Sequence, residues 1–176
     1  MNMTHYMELL AVNQPWNLLI FMAIPIVLAE TLAISELYLL FTRKHEGFIF
    51  NLNRFVGLAV GLYFLGVIVY VMINAVIPIT QANEWRTFID MIAVGSYLVA
   101  GLPLIWIALQ ELSWVNRGLS REGKLKVHSI CVALFLVLGH IAMISGMLDP
   151  VVFGYQAPPA LDMNDGMHSE HMHHDE

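Results

Sequence analysis

The chain has 176 residues, of which 58% are hydrophobic and only 12% are charged. A water-soluble domain carries roughly 25% charged residues, so a soluble globular enzyme and a disordered chain are both excluded. Lys and Arg total 8 against 14 Asp and Glu, too few to neutralise phosphates, so no nucleic-acid partner is expected. One cysteine, Cys131, excludes an internal disulfide and a cysteine-based zinc site.

The first 14 residues form a separate element. Met3, Met7 and Leu10 recur at i, i+4 and i+7 with Tyr6 beside them, which suits a short helix lying in the headgroup region. A frayed terminus fits the same residues.

Four apolar runs follow, at about 16–42, 55–79, 88–112 and 127–148. A bilayer core about 30 Å thick needs roughly 20 residues of helix. Runs this long, with no strand-like alternation, must satisfy their backbones internally as helices. The expected fold is an all-α integral membrane protein, an antiparallel four-transmembrane-helix bundle over 15–149, followed by a tail over 150–176. The first run lacks a basic leader, exceeds a signal peptide's apolar core and ends in Arg43 and Lys44, so it reads as retained. Gly57 and Gly61 make a small-xxx-small pair, with Gly66 further along. Pro25 and Pro103 are expected to kink their helices.

Basic residues set the expected orientation. Arg43, Lys44 and Arg54 lie in or near the first loop, and Arg117, Arg121, Lys124 and Lys126 in or near the third. The second loop has Arg86 alone, and neither terminus has any Lys or Arg. The positive-inside rule then turns both termini outward, into the periplasm of a bacterial inner membrane.

Ionisable groups at membrane depth are costly and are functional candidates. Counting from the helix ends sets Glu30 and His140 close to the midplane, where they could share a proton or a metal ion. Glu36 lies deeper, within reach of Arg43 or Arg54, while Glu111 and His128 are expected to reach water at the inner boundary. His140, Met143 and Met147 share one helical face. Asp90, Val94, Tyr97 and Gly101 share another, as do Tyr63, Tyr70 and Asn74. Turned inward, these faces make a polar and sulfur-lined column. The plainer readings are a His–Glu pair that holds helix register, methionine as gap filler, and Asp90 and Asp149 as caps. Trp16, Trp85 and Trp114 read as interfacial anchors.

After Pro150 the composition changes. Pro158 and Pro159 end any helix, and 162–176 holds His168, His171, Met172, His173 and His174 among acidic residues. Imidazole suits copper, nickel and zinc, and thioether selects Cu(I), so this tail reads as metal-capturing. All eleven methionines map to the outer half or outside. Generic core filling does not predict that asymmetry.

Met143 and Met147 form a Met-xxx-Met on a helix beside an outer tail rich in Met and His. In those two features the chain resembles Ctr-type copper transporters. The helix count and the order of elements differ, so no fold or mechanism is carried over.

The reading that follows is a transition-metal protein, copper favoured over nickel or zinc, that binds or transports its ion. The site residues are His140, Met143, Met147, Glu30 and Asp90 in the bundle, with His168, His171, Met172, His173 and His174 in the tail. A homo-oligomer or a partner membrane subunit is expected, because four helices are few for a monomeric transporter. The alternatives are a redox subunit holding haem b or a quinone, and an accessory or assembly subunit of a larger membrane complex. No nucleophile–base arrangement or phosphate loop occurs, so no catalysis is expected.

Overall fold

The computed structural model describes residues 4–43 and 46–155, and every regular element there is helical. A short helix, α1 (His5–Ala11), precedes four long ones. These are α2 (Trp16–Thr42), α3 (Phe48–Ala82), α4 (Phe88–Glu111) and α5 (Arg121–Met147). A 3-10 turn, Pro150–Phe153, follows, capped by the Asp149 carboxylate, which accepts from Val151 N at 3.0 Å.

All four long helices are long and apolar enough to cross a membrane, the build of a multi-pass membrane protein. Their outer faces carry apolar side chains: Phe41 is 81% exposed, Ile34 71% and Phe55 70%. Water penalises so much bare apolar surface, and hydrocarbon does not.

The helices pack as a ring, α2 on α3, α3 on α4, α4 on α5, and α5 back onto α2. The connections are short, so sequence neighbours run antiparallel. The α4–α5 seam is the most extensive and the α5–α2 seam the sparsest. One end of the bundle carries α1 and the α3–α4 loop. The other is the basic end.

Two helices outrun their apolar stretches. α3 begins at Phe48 instead of near 55, and α5 at Arg121 instead of near 127. Hydropathy marks only the part that hydrocarbon could surround, while the helical hydrogen bonds continue through Asn51, Asn53 and Arg54, and through Lys124 and Lys126. Ser120 caps α5 by accepting from Gly123 N at 3.2 Å. At 35 residues α3 is about 52 Å long, well beyond a ~30 Å core.

Pro25 does not simply kink α2. It follows a π turn, Leu19–Ala23, in which Ile24 N bonds Leu19 O. Proline has no N–H, so Phe21 O loses its i+4 donor and Ile20 O finds none at i+5. Tyr97 Oη donates to Phe21 O at 2.7 Å, and Tyr63 Oη to Ile20 O at 2.9 Å. Hydroxyls from α4 and α3 thus mend the break, as an apolar surround requires. Pro78 likewise follows a π turn, Met72–Val76, whereas Pro103 sits inside an unbroken α4.

The glycines of α3 divide. A Cβ on Gly61 would lie 2.4 Å from Ala108 Cβ and 2.5 Å from Leu104 O, so α3 and α4 touch backbone to backbone there. Gly57 continues the seam at 3.2 Å from Ile107, while a Cβ on Gly66 would meet nothing within 4 Å.

Candidate functional site

The site begins with α1. Thr4 caps the helix, accepting from Met7 N at 3.4 Å, and its hydroxyl donates to Gly146 O at 2.8 Å. His5 N donates to Asp90 Oδ1 at 2.8 Å, and His5 Nδ1 pairs with Asp90 Oδ2. Arg86 Nη2 lies 2.6 Å from Glu8 Oε1. Tyr6 packs over Gly146, where a Cβ would come within 2.6 Å of its ring. Burial pushes the Tyr6 hydroxyl up to about 12. α1 is therefore neither frayed nor loose on a surface. It is docked across α4 and α5. Asp90, in the first turn of α4, is fully buried and committed to His5 instead of capping its own helix.

Beneath Tyr6, where α2 and α5 pack most sparsely, a cavity of about 330 Å³ opens. From α2 it is lined by Phe21, Met22, Pro25, Ile26 and Glu30, and from α5 by Phe135, Leu136, Gly139, His140 and Met143. Tyr97 lines it from α4. The walls are mostly apolar, with one carboxylate, one imidazole and two thioethers set into them.

His140 is held in one tautomer. Its Nδ1 lies 2.6 Å from Leu136 O. A carbonyl can only accept, so Nδ1 carries the proton, and in the neutral ring Nε2 keeps a free lone pair. Metal-ligating histidines have this arrangement, with one nitrogen tied to a carbonyl and the other available. Glu30 also lines the cavity and, among the described residues, has no hydrogen-bond or ion-pair partner. Glu30 and His140 do not stand at one level. Glu36 of α2 faces His128 of α5. In antiparallel register that sets Glu30 opposite position 134, six residues or about 9 Å along α5 from His140. They occupy opposite ends of one cavity.

The inward column is only partly assembled. Asp90, Val94, Tyr97 and Gly101 are buried. Met147 is 62% exposed and does not line the cavity. Tyr70 is 48% exposed, and the exposed Asn74 spends its amide on Tyr70 O at 2.9 Å. His168, His171, Met172, His173 and His174 lie outside the described residues. Among the described residues, no three His, Cys, Asp or Glu side chains converge as a metal cage. An ion in the cavity would depend on His140 and on sulfur.

Two features escaped the sequence reading. The first is Met22, which shares a face of α2 with Ile26 and Glu30 at i, i+4 and i+8. That spacing was the available signal. The second lies at the basic end. His128 and Glu36 are each 1% exposed, and His128 Nδ1 stands 3.2 Å from Glu36 Oε1. His128 Nε2 stands 3.5 Å from Glu111 Oε1, and Glu111 Oε2 lies 3.3 Å from Arg54 Nε. So His128 is enclosed at the wall of a polar cavity, and Glu36 pairs with neither Arg43 nor Arg54. The helix starts six residues before its apolar run, which sets His128 about two turns from the helix end.

Residues 1–162 match a family described as a family of unknown function, DUF6803. No curated protein and no solved structure matches the chain. The matched residues contain α1, the bundle, the cavity and the Glu36–His128 pair, and they stop before the tail histidines. With that match running from the first residue past the last turn of the bundle, the chain belongs to the DUF6803 family.

Proposed function

We propose that this protein binds a transition-metal ion at the cavity between α2 and α5 and moves it within or across the membrane, copper being favoured over nickel or zinc. The observation that carries the reading is the His140 ring. Its Nδ1 is tied to Leu136 O at 2.6 Å, and its wall of the cavity also bears Met143, with Met22 across from it. One imidazole and two thioethers form a soft donor set that suits Cu(I). Glu30, unpaired at the other end, supplies charge for an entering or leaving cation.

The membrane is a bacterial inner membrane in this reading. Both termini face the periplasm, and the basic loops face inward. The tail collects metal at the outer surface with His168, His171, Met172, His173 and His174. The ion then enters beneath α1. A second copy of the chain, or a partner membrane subunit, completes the path.

The test is metal content with an absorption spectrum, comparing full-length protein, a version ending at Ala160, and His140→Ala. Copper retained by the shortened protein and lost from His140→Ala is the expected result. Metal lost with the tail alone would remove the cavity from the mechanism. A haem band, or no metal in any form, would overturn the reading in favour of a redox or accessory subunit.

A further inference from the structure

The buried polar cluster at the basic end is not used by a metal site in the cavity. His128 lies between two carboxylates, with Nδ1 3.2 Å from Glu36 Oε1 and Nε2 3.5 Å from Glu111 Oε1. Neither approach has strict hydrogen-bond geometry, so Glu36 Oε1 and Oε2 and His128 Nδ1 and Nε2 are buried as ion-pair partners. Asn53 and Ser129 stand beside the Glu36 carboxylate while also donating to Ser35 Oγ at 2.9 Å and Leu125 O at 3.0 Å. Two carboxylates and an imidazole enclosed together are costly unless a proton is shared among them. With one ring nitrogen facing each carboxylate, no metal-binding lone pair points away from them. The smallest occupant that fits is a proton.

Access is one-sided. Glu111 and His128 line a polar cavity of about 280 Å³ at the basic end, together with Arg54 and Lys124. Glu36 lines a separate cavity of about 240 Å³ in the α2–α5 groove, which shares Leu136 with the cavity that holds Glu30.

We propose that Glu111, His128 and Glu36 form a proton relay from the basic end into the α2–α5 groove. A proton taken from pocket water by Glu111 passes to His128 Nε2. The imidazolium releases its Nδ1 proton to Glu36 Oε1. One proton has moved, and no electron has. The same steps in reverse return the proton to Glu111 and restore the starting tautomer, so the relay equilibrates Glu36 with pocket water. The charged groups facing the ring are Glu36 from α2 and Glu111 from α4, while Arg54 from α3 and Lys124 from α5 line the adjoining cavity. Arg54 holds Glu111 at the entrance, and Cys131 stands beside Glu36.

The test is infrared spectroscopy of the full chain in lipid nanodiscs, mixed rapidly with deuterium oxide buffer. The protonated carboxyl band of Glu36 is identified by its loss in Glu36→Gln, and its hydrogen–deuterium exchange is timed. His128→Phe is expected to slow that exchange by about 100-fold, the scale of a positioned acid–base group. Glu111→Gln slows it in the same direction, while Lys126→Gln, at a separate cavity with Arg43 and Glu122, leaves it unchanged. Glu111→Gln carries the test alone if His128→Phe does not fold. Exchange as fast in these variants as in the parent, or a Glu36 carboxyl never protonated at any pH, overturns the relay. The readout involves no metal, so either result is independent of the metal reading.

Discussion

His128 and His140 lie on the same helix, twelve residues or about 18 Å apart, and both look toward α2, yet they are built for different work. His128 has a carboxylate against each ring nitrogen and almost no exposure. His140 gives one nitrogen to its own helix and keeps the other on an apolar cavity. A histidine flanked by carboxylates on both sides can hold or pass a proton but has no lone pair to offer. A histidine tied once to a carbonyl can be a ligand. The carboxylates divide the same way, Glu36 being enclosed and Glu30 unpartnered.

This contrast predicts opposite phenotypes. His128→Ala leaves Glu36 buried without its partner and should cost about 3–5 kcal/mol, read as a large fall in the unfolding midpoint in mixed detergent. An unchanged midpoint would mean that the pair adds nothing to the bundle.

The α1 lid gives the next effect. Tyr6 keeps its proton up to about 12 in the folded chain, against an ordinary value of 10.0. Between those values the unfolded chain ionises and the folded one does not. Stability is therefore full below pH 10 and falls as pH rises toward 12, by up to about 1.4 kcal/mol per pH unit. Tyr6→Phe should lack that decline in an alkaline series of melts. Parallel curves would show that Tyr6 is open to water.

Gly61→Val should cost about 1–3 kcal/mol or more by driving α3 from α4, and Gly66→Val, with open space, close to nothing. Equal melting temperatures for the two would break the assigned seam. The smallest stability effect belongs to His140→Ala, within about 0.5 kcal/mol because the ring lies on an open wall. Its effect should show in metal content, making it the mirror image of His128→Ala. A stability loss comparable to that of His128→Ala would erase the distinction between the two histidines.

The four long helices were legible because hydrocarbon imposes a length and a composition that few other environments require. α2 matches its apolar run end to end, 16–42. What stayed hidden was rotation and register. Counting depth from an assumed start near 127 set His140 level with Glu30. The real start at Arg121, and the contact of Glu36 with His128, separate them. The Asp90–His5 pair could not be read at all, since 85 residues separate its members and only the docking of α1 brings them together. Met22 was legible through its spacing to Glu30, but it was counted only among the outer methionines and not set on a face with that carboxylate. Asn74 and Tyr70 failed as inward residues because a neutral amide and a phenol can be satisfied on their own helix or at its rim. Burial was not forced on them as it is on a charge.

The splice at Pro25 ranks the walls of the cavity by how readily each can move. The segment of α2 above the proline is fastened sideways to α3 by Tyr63 and to α4 by Tyr97, so it behaves as part of a three-helix frame. α5 is held to that frame by its broad seam with α4 and meets α2 only sparsely, and α1 straddles the two, fastened to α4 at Asp90 and to α5 at Gly146. Any widening that admits an ion or a lipid tail therefore falls to the α2–α5 seam, the one edge of the cavity that neither a hydroxyl splice nor a broad helix contact closes. The housing opens along a single slit.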